Sequence, residues 1–86
     1  MLPKILIIGC NKDYIKHFSE TCIVIDSSTE SFEETKEIKP KNEYVKGDLT
    51  NMPFDKNYFD KVICIDVLQS TEHHKKIISE IKRVLV

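Results

Sequence analysis

Four short apolar runs punctuate the chain: Ile5–Ile8, Cys22–Ile25, Tyr44–Val45 and Val62–Ile65. Continuous runs of four apolar residues describe strands buried on both faces, the kind that fill parallel sheets covered by helices. Between them the pattern changes period. Tyr14, Ile15 and Phe18 can share one face of a short helix that Asn11 caps, with His17 turned to solvent. The 13 residues between Ile8 and Cys22 are too many for a tight hairpin and enough for a crossover helix, so parallel pairing is favoured. Ser27, Ser28 or Thr29 can cap a second helix over Glu30–Lys39. Its thin apolar face is Phe32, Thr35 and Ile38, and Pro40 ends it. Leu49–Tyr58 contains Asn51, Pro53, Asp55 and Asn57, which favours an ordered loop, with Met52 and Phe54 pinning it to the sheet edge. The last element starts near Ser70 or Thr71. It carries Ile77, Ile78, Ile81, Val84 and Leu85 at helical spacing, with Lys82 and Arg83 placed favourably for the helix dipole.

Three crossovers linking four strands imply a small three-layer α/β unit with helices on both faces. Eighty-six residues make one domain. Composition narrows the function classes. With 13 basic and 14 acidic residues and no basic stretch, the chain lacks the surface that nucleic acid requires. No apolar run approaches a membrane span, and Met1–Gly9 is too short for a secretion signal. Cys10, Cys22 and Cys64 are odd in number and form no C-x-x-C pair, so reduced thiols in a cytoplasmic protein are expected. His73 and His74 are adjacent, hence poor co-ligands on a helix, and no metal site is expected.

The chemistry collects after the strands. Ligands of open parallel sheets bind beyond the carboxyl ends of the strands. There lie Gly9–Asp13, Asp26, Gly47–Asp48 and Asp66. A carboxylate after the second strand suits the two hydroxyls of a ribose, and Asp48 can accept from an exocyclic amine. The turn at Gly9 lets a ligand approach the backbone. One acid or turn glycine after each strand points to a nucleotide-like pocket. No nucleophilic triad stands out.

Tyr44–Leu68, YVKGDLTNMPFDKNYFDKVICIDVL, together with Glu80–Leu85, EIKRVL, resembles the class I S-adenosylmethionine-dependent methyltransferases, especially the ubiquinone- and menaquinone-biosynthesis branch. The resemblance runs over essentially all 86 residues and about the first half to two thirds of the family's domain, so it implies a single truncated domain over residues 1–86. It implies an incomplete Rossmann-like three-layer sandwich of about four parallel strands in the order 3-2-1-4. It implies S-adenosylmethionine as cofactor. Gly9 corresponds to the first glycine of the glycine-rich turn. Asp26, with Ser27 after it, corresponds to the ribose end. Asp48 lies near the adenine amino group, Leu49 against the ring, and Asp66 at the floor of the transfer site. Methyl transfer rests on in-line placement of a nucleophile, so the resemblance names no universal catalytic residue.

The departures sit in one place. Where the family has G-x-G-x-G, this chain reads Gly9-Cys10-Asn11-Lys12-Asp13, and Ile7 stands where an acid is usual. The expected activity is methyl transfer to an acceptor more akin to a small molecule than to nucleic acid, or the cofactor-binding portion of such an enzyme. An inactive fragment serving as a binding or structural module is the alternative, and a small α/β protein binding another nucleotide a third. In the order 3-2-1-4 the apolar fourth strand is an edge, which invites self-association or a partner protein.

Overall fold

The computed structural model describes residues 2–65 and 74–86. The elements run β1 (Ile5–Ile8), α1 (Lys12–Ile15), β2 (Ile23–Asp26), α2 (Phe32–Ile38), β3 (Glu43–Lys46), β4 (Lys61–Cys64) and α3 (His74–Val84). All four strands are parallel, in the order β3-β2-β1-β4. Leu6 pairs with Ile23 on one side and Val62 on the other, and Ile23 pairs in turn with Glu43.

Strand alternation divides the apolar residues between two cores. Ile5, Ile7, Cys22 and Val24 face α1 and α2, where Ile15 and Phe32 meet them, and Ile63 packs alongside. Leu6, Ile8 and Ile25 face the other way, under Ile77 and Val84 of α3 and under Met52 and Phe59. Every β1 residue is buried, as a central strand requires. Val62, Ile63 and Cys64 of β4 are only half-buried, because among the described residues β4 pairs with β1 alone.

Several local expectations shift. α1 ends at Ile15, and Tyr14 is exposed while Ile15 takes the core position. Tyr14 still meets Phe18, ring centroids 5.6 Å apart, and His17 is exposed as expected. α2 starts two residues late, at Phe32 after Ser31, and Ser31 makes no side-chain capping bond. The reason is a run of local turns. The Ser28 amide donates to Asp26 Oδ1 (3.1 Å) and the Glu30 amide to Ser28 Oγ (3.3 Å), which holds those residues out of the helix. Thr35 is fully buried while Ile38 is 45% exposed, so the inner face of α2 is narrower than its apolar residues suggest. Met52 and Phe54 pack on the α3 face of the sheet, in one cluster with Ile25 of β2 and Val45 of the edge strand β3. The expected start of the last helix at Ser70 or Thr71 falls outside the described residues.

Candidate functional site

The site is assembled by chain ends that leave the sheet side by side. Gly9 follows β1 with φ 100°, a conformation open to glycine and strained for other residues. Its amide donates to the Ile25 carbonyl (2.9 Å), so the turn is tied to β2 as it leaves the sheet. The Cys10 amide donates to Asp26 Oδ2 (2.8 Å). The Gly47 amide donates to the Asp26 carbonyl (3.0 Å). Asp26 therefore stands between the turn after β1 and the exit of β3, bonded to both. Gly47 also passes close over β2, where a Cβ would sit 3.1 Å from Ile25 Cδ1.

Asp26 is half-buried, and its two oxygens take the Cys10 and Ser28 amides. A carboxylate has about four acceptor sites, so acceptor capacity remains on both oxygens. Ser27 beside it is exposed. Asp48 is exposed and folds its carboxylate over the following turn, with Oδ1 accepting from the Thr50 amide (2.8 Å) and hydroxyl (2.6 Å). Leu49 is half-buried against the α3-side core. The structure thus brings Gly9, Asp26, Ser27, Asp48 and Leu49 to one end of the sheet. Asp66 lies outside the described residues.

The turn itself is closed from within. Asn11 caps α1, and its Oδ1 accepts from the amides of Asp13 (3.0 Å) and Tyr14 (3.2 Å). Ile7 is fully buried in the core beside Ile15. Asp13 points to Lys16 (3.7 Å) on the surface. A cleft of about 480 Å³ opens beside this turn, lined by Asn11, Asp13, Tyr14 and residues Ile63–Ile65 at the end of β4. Neither Asp26 nor Asp48 lines it.

Burial pushes the Cys10 thiol up from its ordinary value. Its hydrogen bond to Thr35 Oγ1 (3.4 Å) opposes this and the Asp26 charge reinforces it. Burial raises Cys22 likewise. Both thiols are protonated near neutrality, which makes them poor nucleophiles. Among the described residues, no group of three or more His, Cys, Asp or Glu could hold a metal ion.

A second polar cluster was not legible as a site in the sequence. Glu80 and Arg83, three apart on α3, pair through Arg83 Nε and Glu80 Oε2 (2.6 Å). Arg83 Nη1 donates to the Phe54 carbonyl (2.7 Å) and Nη2 to the Met52 carbonyl (2.9 Å), while Glu80 Oε1 accepts the Met52 amide (2.6 Å). The Arg83 hydrogen bond holds the Glu80 carboxyl below its ordinary value, against the opposing effect of burial. The i,i+3 spacing was the available signal. What it grips lies some 30 residues away in the chain.

Comparison with known proteins places these features. Residues 6–86 match the family model described as a methyltransferase domain. The chain belongs to the methyltransferase-domain family. A phthiotriol/phenolphthiotriol dimycocerosates methyltransferase from Mycobacterium leprae (strain TN) is 41% identical over 46 residues, 54% of this chain and 17% of that protein. The BH2331 protein from Bacillus halodurans C-125 superposes with a TM-score of 0.83 at 22% identity, covering 96% of this chain and 40% of that one. An S-adenosylmethionine-dependent methyltransferase from Mesorhizobium loti gives 0.78 at 17%, covering 96% and 42%. At such identities the structures testify to the fold, which is the class I methyltransferase sheet in the order 3-2-1-4. The methyltransferase domain seen here spans about two fifths of the length of those two structures. No helix among its described residues is long and apolar enough to cross a membrane.

Proposed function

We propose that this chain forms the cofactor-binding portion of an S-adenosylmethionine-dependent methyltransferase, gripping the nucleoside half of the cofactor more firmly than the amino-acid half. The observation that carries the reading is Asp26. It is bonded to both flanking turns and keeps acceptor capacity on both oxygens, which suits a vicinal diol. Ser27 adds a hydroxyl beside it. Asp48 would accept from the adenine amine and Leu49 would lie against the ring. Gly9 would admit the cofactor to the turn.

The amino-acid half fits these residues poorly. Asn11 already takes two amides of the turn, and the buried Ile7 offers no acid to an ammonium group. The cofactor, when bound, supplies an electrophilic methyl on a sulfonium. The chain's part is to hold the nucleoside so that the methyl meets its acceptor in line. The family membership, the near-balanced charge and the phthiotriol/phenolphthiotriol dimycocerosates in the name of the Mycobacterium leprae relative support a small-molecule acceptor. The Cys10 and Cys22 thiols, buried and outside any disulfide, support a cytoplasmic setting.

Calorimetric titration with S-adenosylmethionine and S-adenosylhomocysteine tests this. Saturable binding is expected, weakened about tenfold or more by Asp26→Ala, since a hydrogen bond to a charged group contributes about 1.5–3 kcal/mol. Absence of heat at millimolar ligand with a folded protein overturns the reading.

A further inference from the structure

The segment after β3, residues 47–58, contains no helix or strand. It carries Asp48 and Leu49, and local turn bonds hold part of it. Asp48 caps Thr50, the Asn51 amide donates to the Asp48 carbonyl (3.1 Å), and the Phe54 amide to the Met52 carbonyl (2.9 Å). A loop of this length needs an outside reason to keep one conformation.

That reason is the Glu80–Arg83 pair of α3. Both backbone groups of Met52 are taken by it: the amide by Glu80 Oε1, the carbonyl by Arg83 Nη2. The peptides on either side of Met52 are thereby fixed in direction as well as position. Arg83 reaches a second carbonyl, that of Phe54, through Nη1. Its own carbonyl accepts the Asn57 amide (2.8 Å), where Asn57 adopts a positive φ of 55°. Within the pair, Nε and Nη2 of Arg83 donate to the two Glu80 oxygens, 2.6 and 2.9 Å, which orients the guanidinium plane. A forked guanidinium can serve two carbonyls and a carboxylate together, and an ammonium cannot. Met52 lies four residues after Asp48 and three after Leu49, so the grip acts on the short segment that carries both.

We propose that Arg83 and Glu80 are positioning residues for base recognition: by clamping Met52 and Phe54 they hold Asp48 and Leu49 where the adenine ring would lie. This rests on the nucleoside reading above. Neither residue touches the ligand; each acts through the loop.

The test compares S-adenosylhomocysteine with its inosine analogue, in which the exocyclic amine is replaced by an oxo group, in the wild type, Arg83→Lys and Glu80→Gln. Amide hydrogen exchange of Thr50, Asn51, Met52 and Phe54, the residues of 50–54 that carry an amide N–H, is followed in the same proteins. The wild type is expected to prefer the adenine form by about tenfold, roughly the value of one hydrogen bond to a charged group. In Arg83→Lys that preference collapses, the adenine form losing more affinity than the inosine form, and exchange at 50–54 quickens at least tenfold while β1 keeps its protection. Glu80→Gln keeps an acceptor for the Met52 amide and shows a smaller change in the same direction, which serves where Arg83→Lys does not fold. A preference retained in a variant whose loop exchanges faster overturns the proposal, as does unchanged exchange. Ligand binding that depends on Asp26 but ignores the base overturns this inference and leaves the nucleoside reading standing. Absence of any binding overturns both.

Discussion

The turn after β1 and the loop after β3 lie at the same end of the sheet, and they are held in opposite ways. The turn at Gly9–Asp13 is tied to β2 by the Gly9 and Cys10 amides and beyond them is closed by its own Asn11. One glycine with φ 100° reverses the chain, and one asparagine caps the helix that follows. The loop at 47–58 is held from outside. Phe59 lies beneath it, fully buried, with the rings of Phe54 and Tyr58 edge-on at 5.0 and 4.9 Å. Glu80 and Arg83 grip its backbone from α3. At the loop's end the Tyr58 and Phe59 amides both donate to the Val84 carbonyl, and the Val86 amide to that of Phe59. The difference teaches where each region's specificity resides. A self-closed turn spends its polar groups internally and leaves few for a ligand. An externally held loop keeps its acid exposed at the rim of the sheet at the cost of depending on a distant helix.

The largest expected effect comes from removing the apolar anchor. Phe59→Ala should destabilise the protein by about 3–5 kcal/mol in denaturant titration. That is comparable with the whole stability of a chain this size, at about 0.05–0.15 kcal/mol per residue. A loss below about 1 kcal/mol would mean that the loop does not depend on what lies under it. Gly9→Ala should cost about 1–2 kcal/mol, because a Cβ is forced into a left-handed backbone. Its effect should stay local: amides of 10–15 exchange faster and those of 50–54 do not. Quickening at both would erase the distinction between the two regions. The smallest change sharpens it most. Asn11→Ala should cost about 1 kcal/mol by loss of the cap, and Asn11→Gly only a few tenths. If the turn is closed to ligand by its own side chain, Asn11→Gly should also bind S-adenosylmethionine more tightly, since the Asp13 and Tyr14 amides are released. Unchanged affinity would show that Asn11 is not what closes it.

The contrast also explains what could be read in advance. β1, β2 and β4 were legible to within a residue because runs such as Ile5–Ile8 carry their own burial signal. The Asn11 cap was legible because its donors lie two and three residues away. The late start of α2 was not, since it depends on Asp26 and Ser28 diverting the backbone into turns of their own. Ile38 looked like core by spacing, yet it is exposed because the helix is short and only Phe32 and Thr35 reach the sheet. Arg83 was read as a dipole partner. Its actual bonds are to carbonyls 29 and 31 positions earlier, which no local pattern could announce.

The amino-acid sequence by itself determined the element types, the parallel α/β class and the acids and glycines that follow the strands. These depend on period, on backbone preference and on neighbours a few residues apart. The family resemblance in Tyr44–Leu68 added the strand order. Only the tertiary structure decided how Asp26 is shared between two turns, that Met52 and Phe59 share a core with Ile77 and Val84 of α3, and that Glu80 and Arg83 hold the loop after β3. Each of these is a contact between segments distant in the chain. Its energy exists only once the sheet has brought them within hydrogen-bond or van der Waals reach.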